Sequence, residues 1–186
     1  MILLTAPTTE PVTLAEAKLA ARVSGSSMDL LIPGLITAAR ELAEQETGAK
    51  FMQQTWRTEL VDWPAATDVL AINQATAAAV SYWNGTAWAS ALAESAYVFA
   101  PDGIGTGLAP ATGTSWPTLG DRPVGPRVRI DLTTGATDPD AVAESVKLFI
   151  KACVAYWIDN PQAASATGVA LPMHLGHLLD RQRLYY

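Results

Sequence analysis

The chain has a single cysteine, Cys153, and only two histidines, His174 and His177. A lone thiol excludes an internal disulfide and fits a reducing compartment. No apolar run approaches the roughly 18 residues that a membrane span needs. The apolar start, MILLTAP, has no basic stretch before it and is interrupted by Pro7, so it does not read as a signal peptide. Positive charge is missing over a long stretch. From Thr58 to Asp121 there is no Lys or Arg, while Glu59, Asp62, Asp68, Glu94 and Asp102 all lie there. With a formal net charge of −6, the chain lacks the cations that a dedicated nucleic-acid binder uses to displace counterions from phosphate. The expectation is a soluble protein made in the cytoplasm, with no membrane partner.

The 186 residues suffice for one domain with an insert, and a hydrophobic fraction of 49% sets disorder aside. Val12–Val23 reads as a short helix opened by a capping box, Thr13 with Glu16. Asp29–Thr47 reads as one long helix. Leu31, Leu35, Ala38 and Leu42 recur at helical spacing, and Ile32, Ile36, Ala39 and Ala43 widen the stripe. Arg40, Glu41, Glu44 and Gln45 fall on the other side. Ser27 or Asp29 can cap its start, Pro33 is tolerable only in the first turn, and Gly48 can end it. From Phe51 to Thr133 the helical period disappears. FMQQTWRTELV alternates with period two, with Trp56 and Leu60 on one face and Thr55, Arg57 and Glu59 on the other. Val69–Ile72 and Ala96–Phe99 are further strand candidates. Asn84-Gly85, flanked by aromatics, predicts a hairpin over Ser81–Trp88 with a type I′ turn. Pro101–Pro126 reads as an extended Gly/Pro loop, and Arg127–Thr133 alternates again. Helix returns after Asp138-Pro139, with Val142, Val146, Phe149, Ile150, Cys153 and Trp157 on one face. The predicted fold class is α+β, mainly α: a helical-bundle core from residues near 10–50 and 138–181, with a β-rich insert over about 51–133, all within a single domain of residues 1–186.

No catalytic constellation emerges, and neither an enzyme nor a cofactor is expected. His174 and His177 stand at i, i+3, but no cluster supplies further metal ligands at a familiar spacing, so no metal site is assigned. Cys153 falls on an apolar helix face and reads as core. Asp138, Asp140 and Glu144 are explained by capping and by the helix dipole. Gly103, Gly105 and Gly107 lack the strand-to-helix setting of a phosphate loop. Trp56, Trp63, Trp83, Trp88 and Trp116 concentrate in the β region. Most of these large side chains serve a small core, but Trp83 and Trp88, beside the hairpin turn, are candidates for binding a partner or a glycan. The tail, RQRLYY, supplies Arg181, Arg183, Leu184, Tyr185 and Tyr186 as a candidate docking segment.

Several phrases in a fixed order resemble a known family. They are PVTLAEAKLAARV at Pro11–Val23, ARELAEQETG at Ala39–Gly48, QTW at Gln54–Trp56, the SWPTLGDRPVGPRVRIDLTTG stretch, the helix at Val146–Trp157 and the closing segment at Leu171–Arg183. Together they resemble the head–tail connector, or adaptor, proteins of tailed bacteriophages. The resemblance implies a structural virion protein of the neck. Such a protein forms a homo-oligomeric ring, of about a dozen copies, beneath the portal protein. It links the DNA-filled head to stopper or tail proteins and lets DNA pass through its lumen. The tail residues Arg181–Tyr186 would then dock on the portal. Another neck ring, a stopper or tail-terminator, and a glycan-binding module using the tryptophan-rich insert are the alternatives.

Overall fold

The computed structural model describes residues 1–65, 69–70, 75–101, 106–161 and 173–183. The chain divides into two compact units, Met1–Ala6 with Gln53–Gly135, and Pro7–Met52 with Ala136–Leu184.

The first unit is built of β-strands. A four-stranded antiparallel sheet has the order β1 (Ile2–Thr5), β2 (Gln54–Leu60), β7 (Val128–Thr134), β4 (Ala75–Tyr82). A second sheet has the order β3 (Val69–Leu70), β6 (Thr106–Pro110), β5 (Tyr97–Pro101). The alternation read in the sequence explains the central strand. Val128, Ile130 and Leu132 of β7 are buried and meet Val80 and Ala78 of β4, Tyr97 of β5 and Leu108 of β6 in one core. Trp56 and Leu60 of β2 pack against it. The other face of β2 and β7 is a ladder of cross-strand polar pairs. Arg57 binds Asp131 through two bonds of 2.7 Å, Arg129 binds Glu59 at 2.8 Å, and the Thr55 and Thr133 hydroxyls stand 3.2 Å apart. The hydrogen bonds that Arg57 donates to Asp131 outweigh partial burial and raise the pKa of Arg57 above its ordinary value.

The second unit holds α1 (Leu14–Ala20), α2 (Ile32–Thr47), α3 (Glu144–Asp159) and the short α4 (Met173–Gly176). Thr13 and Glu16 form the predicted capping box, and the Thr13 hydrogen bonds hold the Glu16 carboxyl below its usual range. The helix is shorter than read, because Arg22 turns left-handed at φ 54° and carries the chain out. Gly48 ends α2 at φ 75°, as its missing Cβ allows. The start of α2 differs from expectation. Residues 26–31 form turns, Pro33 sits in the first helical turn, and Asp29 binds Lys18 at 2.6 Å instead of capping. The buried face also differs. Ile32, Ile36, Ala39 and Ala43 line the core, whereas Leu31 and Ala38 are exposed. All six residues predicted for the apolar side of the third helix are buried. Asp138 caps a 3₁₀ turn at Pro139–Ala141, and α3 itself begins only at Glu144.

The expectation of a mainly helical fold with a helical-bundle core is overturned. Among the described residues, strands occupy nearly as much of the chain as α-helices, and they form two antiparallel sheets with a core of their own. Three elements were hidden from the pattern. β1 is a four-residue strand at the very start. β4 begins ATAAA, and alanine is depleted in strands. β6 lies inside the Gly/Pro stretch read as loop, with Gly107 paired to Val69 and Ala100.

Arg40 and Glu44, assigned by periodicity to the polar side of α2, are buried. Arg40 binds Glu10 at 2.8 Å and Glu44 at 3.1 Å. Thr37 also donates to Glu10 at 2.8 Å, and the Phe51 amide donates to Glu44 at 3.2 Å. Burial opposes the charge on Arg40, but the hydrogen bond and field of Glu10 and the field of Glu44 more than offset it, so its pKa lies above the ordinary value. The network ties the segment before α1, the middle of α2 and the exit from α2 to one another. Arg40→Ala leaves Glu44 buried without its main counter-charge. It is expected to destabilise the helical unit by about 3–5 kcal/mol, measured as earlier loss of helical circular dichroism in urea. A shift below about 1 kcal/mol would show that the network is only a surface-type pair.

Candidate functional site

The predicted hairpin forms around Trp83 and Trp88, which face each other as an isolated antiparallel bridge. Its turn is not type I′, because that turn needs positive φ at both central residues and Asn84 does not adopt it. Instead the Asn84 side-chain oxygen accepts from Thr86 N at 3.0 Å, Thr86 Oγ1 at 3.1 Å and Ala87 N at 2.9 Å. This is the Asx chemistry that suits asparagine to turns.

The long segment 111–127 is held against the hairpin. Gly120 N donates to Trp83 O at 2.9 Å, and Trp83 Nε1 donates to Asp121 O at 3.1 Å. The approach is so close that a Cβ on Gly120 would lie 2.0 Å from Gly85 N and 2.3 Å from the Asn84 carbonyl carbon. A second anchor lies at Trp63, which stacks on Trp116 at 4.5 Å and donates to Pro117 O at 2.8 Å.

These contacts bring together residues that sequence reasoning treated apart. Trp83 and Trp88 meet edge to face at 6.0 Å. The Arg122 guanidinium lies 5.0 Å from the Trp83 ring and 5.2 Å from the Trp88 ring, and that of Arg129 lies 3.8 Å from the Trp88 ring. Cation–π attraction therefore commits much of the indole surface to the protein's own arginines. A sugar would need such surface for stacking, which weighs against the glycan reading. What remains at the hairpin end is a half-buried, cationic and aromatic patch of the composition found at protein–protein contacts. Arg122, Arg127 and Arg129 lie close together in the sequence. The seat of Arg122 on the tryptophans depends on the path of its segment over the hairpin, which Gly120 permits, and that of Arg129 on the register of β7 with β4.

The remaining candidates are placed as follows. Arg181 is exposed, and Arg183 binds Asp180 at 3.2 Å and Glu46 at 3.6 Å. Leu184, Tyr185 and Tyr186 lie outside the described residues, as do Gly103 and Gly105. His177 is exposed with Nδ1 3.0 Å from Asp180 Oδ2, and His174 lies in α4, its side chain outside what is described. Asp140 and Glu144 bind Lys147 at 3.6 and 3.1 Å. Cys153 is fully buried, and burial pushes its thiol up to about 12. Among the described residues no three His, Cys, Asp or Glu side chains converge as metal ligands would.

Gly120→Ala forces the 111–127 segment away from the hairpin. The expected result is a loss of roughly 1–3 kcal/mol, with Trp83 and Trp88 fluorescence shifted to the red as the indoles meet water. Unchanged stability and emission would show that the segment is not held at this point.

No family model and no curated protein matches the sequence. Solved structures do. The chain matches, over 100% of its length and 97% of the other, a chain of a structure described as "Neck of empty GTA particle computed with C6 symmetry", with a TM-score of 0.76 and 18% identity. Coverage is the same for a chain of "Virion of native gene transfer agent (GTA) particle", at TM-score 0.74 and 20% identity. It is the same again for a chain of "Neck of native GTA particle computed with C12 symmetry", at 0.71 and 18%. At these identities the likeness is one of fold, and along its whole length the chain has the fold of chains found in gene transfer agent particles.

Proposed function

We propose that this chain is a structural protein of the neck of a tailed phage or phage-like particle, and within the neck the head–tail connector. The observation that carries the reading is the whole-length fold likeness to chains of gene transfer agent necks. The ordered phrases from Pro11 to Arg183 add the finer assignment. In this role copies of the chain form a ring beneath the portal, and one face of the ring receives stopper or tail proteins. Twelve-fold and six-fold symmetry in the matched neck structures supports a cyclic arrangement. The charge of the chain suits a DNA conduit. At net −6, a ring repels the duplex, so DNA can slide without the drag of bound phosphates. The tail beginning at Arg181 is the proposed portal-docking segment, and the Trp–Arg patch on the hairpin is a proposed contact for a neighbouring protein.

Two experiments test this. Particles made without the chain are expected, by electron microscopy, to be DNA-packaged or leaking heads beside separate tails. Normally joined particles would remove the neck assignment, and tails with aberrant ends would favour a stopper or terminator ring. Truncation after Asp180 is expected to abolish binding to purified portal, measured by co-sedimentation. Intact binding would reject the tail as the docking segment.

A further inference from the structure

The four-stranded sheet treats its two edges differently. Along β4 the outward carbonyls are taken by the same unit. Tyr97 Oη donates to Ala78 O, Leu92 N to Val80 O at 2.7 Å, and Ala89 N to Tyr82 O at 2.8 Å. That edge is closed to a further strand. The opposite edge is β1, Ile2–Thr5, and among the described residues no backbone hydrogen bond reaches its outer side. It carries none of the usual protective residues. Ile2, Leu3 and Leu4 are apolar on both faces, and they remain 51%, 43% and 42% exposed. None of its four residues is buried, so it is held in its own sheet chiefly by main-chain pairing of Ile2 with Arg57, Leu3 with Trp56 and Thr5 with Thr55. That pairing is itself irregular between Leu3 and Thr5. Beyond Thr5 the chain leaves the sheet through Ala6-Pro7, where a residue before proline disfavours helical backbone.

We infer that β1 is an exchange arm: in the assembled ring it pairs with β2 of the adjacent copy, and each copy receives the β1 of its other neighbour. This inference rests on the ring reading above. Exchange is inexpensive, because the same main-chain bonds form whether donor and acceptor belong to one chain or two. The crossing that carries the arm to the adjacent copy also sets the two copies side by side, next to apolar side chains that the isolated chain leaves in water. A given-and-received strand is also a head-to-tail contact, the kind that closes into a ring. The closed β4 edge fits the same scheme, because it prevents open-ended stacking of sheets at the other side.

The test uses the assembled portal–connector complex from particles carrying Thr5→Cys with Thr55→Cys. These two residues are register partners, so a disulfide between them reports which chain supplies β1. The native Cys153 is buried and does not compete. A second variant, Thr55→Cys with Thr133→Cys, joins β2 to β7 inside one chain and serves as the control. After oxidation, the expected result on a non-reducing gel is a ladder of covalent multiples of the 19.7 kDa chain for the first variant, and a single band for the control. A monomer band that is internally cross-linked, or no cross-link while the control forms one, overturns the exchange. Electron microscopy of the same samples separates the two readings. Rings with internal cross-links reject only the exchange, whereas complexes without rings reject the ring reading and the exchange with it.

Discussion

Val128–Thr134 is paired along its whole length on both sides, with β2 at one and β4 at the other. Its inward residues are the centre of the β core, and its outward residues supply Arg129, Asp131 and Thr133 to the polar ladder. The pairs it makes are distant in sequence, 74 residues apart for Arg57 with Asp131. The loop-closure entropy of bringing β2 and β7 together must therefore be met by burial and pairing at this one strand. The elements between them attach to a sheet that β7 defines.

The helical unit solves a different problem. Its apolar side chains supply most of the cohesion, with Phe149, Ile32 and Ile150 among the largest fully buried ones. Apolar packing alone does not fix which parts of a chain meet. The buried Arg40 does so by demanding carboxylates at set positions, one from Glu10 before α1 and one from Glu44 a turn further along α2. Geometry of this kind contributes more to a unique arrangement than to net stability.

Both devices hold distant parts of the chain in fixed positions. The tryptophans are used accordingly. Trp63 and Trp116 stack, Trp83 and Trp88 meet edge to face under arginine, and together they fasten a long irregular segment to the sheet. A segment without regular structure can then present a defined surface to a partner at low ordering cost.

Local elements with short-range signals are legible in the residues alone: the Thr13–Glu16 cap, the Gly48 stop, the apolar side of α3, and the alternation of β2 and β7. Each depends on residues within a few positions of one another, so periodicity and turn chemistry suffice. The order of the phrases resembles that of phage neck proteins, and the fold likeness agrees at that coarse level. The balance of helix and sheet emerges only from the fold, because β1 is too short for a pattern, β4 opens on alanines and β6 runs through Gly and Pro. The fold also turns Arg40 and Glu44 inward, since helical periodicity assigns them to the polar side and cannot show that Glu10 waits for them. The seat of Arg122 on the tryptophans was likewise invisible, because it depends on Gly120 letting two backbones touch, a long-range approach that no local pattern records, and that of Arg129 depends on the register of β7 with β4.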